Sequence, residues 1–182
     1  LAAAIDNGRG SAEGGRTDAP PSPGPINRIP GLSVGERSIL FDHEMNAGGA
    51  RYNIGHLYRV DGPVDGDRFE GAARIVAARH IPLSWTYSSP RRCLSPEDAV
   101  DVEVARAPID NRTFGVSVEE FIRTPIPLRH GPLIRFLVQP LDDGTTGVAV
   151  VMHHVSGDAE SLMALWGQID AEYCGRPSVP LL

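Results

Sequence analysis

The sequence predicts an α/β fold, a two-layer sandwich of helices on a mixed, largely antiparallel sheet. Three observations predict it. Strand-like apolar runs alternate with helix-period stretches over residues 32–182. Runs 133–140 and 147–154 flank Asp142-Asp143-Gly144-Thr145, a composition that favours a tight hairpin turn. The second run feeds directly into a helical pattern.

Residues 1–5, Leu-Ala-Ala-Ala-Ile, read as the last turn of a helix belonging to something upstream, and residues 6–31 as an interdomain linker. The linker is rich in Gly, Ser and Pro and cannot bury enough apolar surface to order itself. Residues 32–45 form a predicted helix, capped by Ser33 with Glu36 three positions on, and with Ile39 and Leu40 facing inward.

A strand follows over 52–60, then the turn Gly62-Pro63-Val64-Asp65 and a helix to about 80 whose inward face is Phe69, Ala72, Ala73 and Val76. Pro82 stops that helix. Further strands are expected over 83–87 and 100–105, and a short helix over 118–123 before Pro125 and Pro127. The last helix carries Leu162, Trp166, Ile169 and Tyr173 at helical spacing and stops at Gly175 and Pro177.

At 182 residues the chain can bury one core. Its net charge of -6 argues against nucleic acid or an anionic membrane as partner, and no apolar run approaches membrane-spanning length. Two cysteines, Cys93 and Cys174, are too few for a disulfide framework, so a reducing cytoplasm is expected. Asn111-Arg112-Thr113 fits a glycosylation pattern but stands without a secretory signal.

The chemistry concentrates at Met152-His153-His154-Val155-Ser156-Gly157-Asp158-Ala159, where two imidazoles and a carboxylate share one strand-to-helix turn. Alternation points Val148, Val150, Met152 and His154 to one face, and Ala149, Val151 and His153 to the other. The two histidines therefore have different roles. Asp158 or Ser156 serves as helix N-cap, with Glu160 in the first turn at the positive end of the dipole.

Other chemistries fit these residues less well. Zinc is disfavoured because adjacent ligands on a strand diverge and no third histidine or cysteine follows at ligand spacing. His43-Glu44 lacks the second histidine of a zincin helix, since position 47 is Ala47. Ser156 and Ser161 lie outside a nucleophile elbow, Cys174 reads as a small packing residue, and Gly48-Gly49 precedes no phosphate-loop lysine. Trp85 and Trp166 are expected in the core.

His153-His154-Val155-Ser156-Gly157-Asp158-Ala159 resembles the signature of non-ribosomal peptide synthetase condensation domains, relatives of chloramphenicol acetyltransferase: two histidines, three variable residues, then Asp-Gly. Tyr52-Asn53-Ile54, Ala78-Arg79-His80 and Gly131-Pro132-Leu133-Ile134-Arg135 resemble the family in the expected order. Ala159 departs from the signature glycine, and Ser84 stands where the family carries the arginine that pairs with the signature aspartate. Glu160 replaces a frequent tryptophan.

The resemblance implies the amino-terminal lobe of a condensation domain over 32–182, with the carboxyl-terminal lobe absent and a carrier-protein helix ending at 1–5. It implies amide bond formation between carrier-tethered aminoacyl or peptidyl thioesters. His154 would be the catalytic residue, as base or as positioning group, since an imidazole of ordinary pKa about 6.5 can accept a proton near neutrality.

His153 and Asp158 would be structural, and the Gly157 backbone would stabilise the oxyanion or the turn. No cofactor or metal is expected in this lobe, the substrates riding on the phosphopantetheine of upstream and downstream carrier domains. The fragment alone is expected to be inactive and to self-associate through its open lobe interface. Two other readings stand beside this one: an epimerisation domain of the same superfamily, and a catalytically silent carrier-docking module.

Overall fold

The strand that carries the paired histidines lies inside the sheet, hydrogen-bonded on both edges. In a computed structural model, residues 31–46, 49–88, 91–94 and 100–177 are described. The expected carrier helix end and almost all of the expected linker lie outside these residues. The sheet has the order β1 (Asn53–Val60), β6 (Thr146–His153), β5 (Ile134–Pro140), β4 (Asp101–Val104). β6 runs antiparallel to both neighbours, with Met152 opposite Ile54 on one side and Ile134 on the other, while β4 runs parallel to β5. The sheet is therefore mixed and largely antiparallel, as the sequence predicts.

Every residue of β6 is buried. Val148, Val150 and Met152 face α2 (Gly66–Ala78) and α4 (Ala159–Tyr173), which pack together through Phe69, Ala72, Ala73, Val76, Leu162, Leu165 and Ile169. Burying a side chain of this size contributes roughly 1.5–3 kcal/mol. Trp166 stacks on Tyr58 at 3.9 Å between ring centroids. Arg79 pairs with Glu172 at 2.9 Å, and the Asp65 amide donates to the Tyr173 hydroxyl, tying the start of α2 to the end of α4.

Alternation sends Ala149 and Val151 to the opposite face. Ala149 meets Phe114 and Val118 of α3 (Asn111–Arg123), and Val151 meets Leu40 of α1 (Val34–Met45) with Tyr87, Ile126 and Leu133. α1 has the expected capping box between Ser33 and Glu36. Helices thus cover the second sheet face as well.

α3 is longer than the predicted 118–123. Its N-cap Asp110 accepts from the amides of Arg112 and Thr113, which starts the helix seven residues earlier. The predicted strand 83–87 is divided between a 3-10 turn, Ile81–Ser84, and β2 (Trp85–Ser88), which pairs with β3 (Arg91–Leu94), a strand not predicted.

The end of α3 is held to the sheet by two polar side chains. Asn53 donates to the Ile122 and Thr124 carbonyls at 2.7 and 2.9 Å. Arg135 donates to Phe121 and Thr124 at 3.3 and 2.8 Å, its guanidinium lying over the Phe121 ring. Orphan carbonyls at a helix C-terminus need such donors.

Candidate active site

β6 ends with both neighbours still attached. The His153 amide donates to the Leu133 carbonyl at 3.0 Å and the His154 amide to the Tyr52 carbonyl at 2.8 Å. The chain then turns sharply, Ser156 donating to the His153 carbonyl from its amide at 3.0 Å and from its hydroxyl at 2.8 Å.

Asp158 closes the turn as the N-cap of α4. One carboxylate oxygen accepts from the Ser161 amide at 2.8 Å and from the Ser161 hydroxyl at 2.7 Å. These bonds hold the carboxyl below the usual carboxylate range. Among the described residues no arginine pairs with Asp158, and Ser84 sits half-buried at the end of its 3-10 turn.

The histidines divide as alternation requires. His154 is exposed, and its Nδ1 lies 2.8 Å from the Gly157 carbonyl oxygen. A carbonyl only accepts, so Nδ1 carries the proton and Nε2 of the neutral ring keeps a free lone pair. Gly157 is tightly enclosed: a Cβ there would come within 3.0 Å of Met152 Cε and 3.1 Å of Ser161 Cβ.

His153 is 0% exposed. Burial, and then the neighbouring imidazoles of His43 and His154, push its pKa down to about 3, so it is neutral at physiological pH. Its Nδ1 accepts from the Val155 amide at 3.2 Å, and its Nε2 lies 3.3 Å from Nδ1 of His43. The two rings meet edge-to-face, their centroids 5.1 Å apart.

By sequence His43 shows only an incomplete zincin pattern. It is 110 residues from His153 in the chain, and no local pattern signals the pair. Burial also lowers its pKa, against a smaller opposing effect of Glu44.

Beyond His43 opens a cleft of about 360 Å³ lined by Leu40, His43, Tyr87, Ile126, Leu128 and His130 among others; His154 lies outside it. Among the described residues no three His, Cys, Asp or Glu side chains are grouped to hold a metal ion, and no helix is long and apolar enough to cross a membrane. Both cysteines are exposed. Trp85 and Trp166 are partly buried against the two main apolar clusters.

The chain is similar to bacitracin synthase 3 of Bacillus licheniformis, 28% identical over 152 residues, which are 82% of this chain and 2% of that protein. It is also similar to the hybrid PKS-NRPS synthetase prlS of a fungal species, 28% identical over 140 residues, 71% of this chain and 3% of that protein. The chain thus spans only a few hundredths of the length of these relatives. No family model matches it.

Among solved structures it is similar to the starter condensation domain of rhizomide synthetase RzmA, with a TM-score of 0.69 at 17% identity, covering 83% of this chain and 41% of that one. It is likewise similar to the first condensation domain of the calcium-dependent antibiotic synthetase, with a TM-score of 0.68 at 19% identity, covering 84% and 40%.

The fold is therefore that of a condensation domain. The chain covers about two fifths of each of those two domains.

Proposed function

We propose that the chain is the amino-terminal lobe of a condensation domain that joins carrier-tethered aminoacyl or peptidyl thioesters through an amide bond. One observation carries the reading: His154 stands exposed at the strand end with its Nδ1 proton committed to Gly157. Its Nε2 is therefore open to accept a proton from an attacking amine.

In that reaction the amine nitrogen attacks the thioester carbonyl, the C–N bond forms and the C–S bond breaks. The amine's proton passes to His154 Nε2, and the thiolate leaves with the donor carrier and is protonated. His153 and Asp158 hold the turn that places His154, and the Gly157 amide is assigned to the oxyanion or to the turn itself. The lobe binds no cofactor of its own in this reading. Its partners are upstream and downstream carrier domains bearing phosphopantetheine and a complementary carboxyl-terminal lobe, and the setting is the cytoplasm.

The test is intact-mass detection of the condensed product on its carrier, with the two-lobed parent domain and loaded donor and acceptor carriers, wild type against His154→Ala. Product in wild type and its loss in a folded variant supports the reading. Inversion of a tethered α-carbon with no second substrate would move the assignment to epimerisation. Silence of the wild type across substrates would move it to a carrier-docking module, a reading favoured by Ala159 and Ser84, which stand where the resembled signature has glycine and arginine.

A further inference from the structure

We propose that His43 is a positioning residue for His154, acting through the buried ring of His153; its catalytic consequence rests on the reading above. The geometry begins at the Val155 amide, which donates to His153 Nδ1 at 3.2 Å. That nitrogen must be unprotonated, so the single proton of the neutral ring lies on Nε2. The acceptor facing it is His43 Nδ1, 3.3 Å away.

Two hydrogen bonds therefore depend on one proton position. If His153 carried its proton on Nδ1 instead, the Val155 N–H would face another donor and His43 would face a bare lone pair. Both losses would occur around a ring that is 0% exposed, where no water substitutes. Val155 is the middle of the turn: Ser156 beside it donates to the His153 carbonyl, and the Gly157 carbonyl accepts a hydrogen bond from His154 Nδ1. The acceptor on α1 thus reaches His154 through a fixed tautomer and a fixed turn, as outer groups orient a catalytic imidazole elsewhere.

His43 can itself change state. When its Nδ1 is protonated it becomes a donor and the contact with His153 is lost. Around it stand Glu44 on its own helix, Tyr87 on β2, Arg129 and His130 along the cleft and His153 on β6, and His153 in turn has the Tyr52 ring 6.1 Å away.

The test uses the ¹⁵N-labelled 182-residue chain and long-range ¹H–¹⁵N imidazole spectra. Wild type is expected to show His153 as a single Nε2–H tautomer. His43→Phe keeps the ring volume but removes the acceptor, and is expected to mix or switch the tautomer and to weaken Val155 amide protection about tenfold. His43→Asn, which returns an acceptor near the Nδ1 position, is expected to restore both.

In the two-lobed parent, His43→Phe should lower kcat about tenfold with acceptor KM unchanged, and His43→Asn should recover it. An unchanged tautomer in His43→Phe, or no recovery in His43→Asn, overturns the proposal in favour of packing alone.

Should His43→Phe fail to fold, the wild type decides. On acidification the His153 Nε2 and Val155 amide signals must move with the titration of His43, and signals that stay fixed through it overturn the proposal. A parent that makes no product refutes the proposed function, whereas the spectra of the chain still decide the link between His43 and His153.

Discussion

His154 donates its Nδ1 proton to the carbonyl oxygen of Gly157 across 2.8 Å, three residues along the chain. The turn thus decides the tautomer of the ring it presents. A variant without the ring should lose the proton acceptor and little of the fold. His154→Ala in the parent domain is expected to lower kcat by about 10²–10⁴ while changing stability by roughly 0.5–1 kcal/mol, read by product mass and thermal melting. A variant that keeps most of its turnover would remove His154 from the reaction.

Asp158 acts on the backbone, so its substitutions should separate capping from charge. Asp158→Ala is expected to lower Tm by about 2–4 °C, through loss of the N-cap of α4. Asp158→Asn should retain most of the Tm, because asparagine caps as well. Retained turnover in Asp158→Asn would place the residue with the turn rather than with proton transfer.

Acid should weaken the fold through His153. Its folded pKa of about 3 lies below the ordinary imidazole value, so on acidification the unfolded chain takes up the proton first. The stabilisation is whole above about pH 6.5 and falls as the pH drops toward 3, by up to about 1.4 kcal/mol per pH unit for one proton. His43, lowered in the same direction, adds to the slope. Urea midpoints between pH 7 and 4 should show this dependence, and His153→Asn should flatten it.

Two glycines should respond oppositely to alanine. A Cβ at Gly147 would lie 2.2 Å from the Phe114 ring, inside the packing of α3 on β6, and Gly147→Ala is expected to cost about 1–3 kcal/mol. Gly167 is exposed on α4 with nothing within 4 Å of its would-be Cβ. Gly167→Ala is expected to stabilise by roughly 0.5–1 kcal/mol, since helical glycine carries an entropy cost. Chemical denaturation measures both.

What could be read from the chain was local. The Ser33 and Glu36 capping box, the inward face of α2, the hairpin and the opposed faces of His153 and His154 all follow from spacings of a few residues. α3 shows the limit: Gly115 and Ser117 obscure its first turns, although Phe114, Val118, Phe121 and Ile122 already repeat at helical intervals. The parallel partnership of β4 with β5 and the meeting of His43 with His153 depend on residues dozens of positions apart, brought together only by the completed sheet. Asn53 and Arg135 belonged to recognisable motifs, but that both hold the end of α3 required their distances.

The two tryptophans lie against opposite faces of the sheet, Trp166 of α4 flat upon Tyr58 of β1 and Trp85 beside the cluster that includes Leu40 of α1. Each is an intrinsic fluorophore in a separate environment. Replacing one at a time by phenylalanine turns the emission spectrum into a one-sided optical probe. Trp166 then reports the seating of the helix that follows the histidine turn, and Trp85 the layer from which His43 reaches His153.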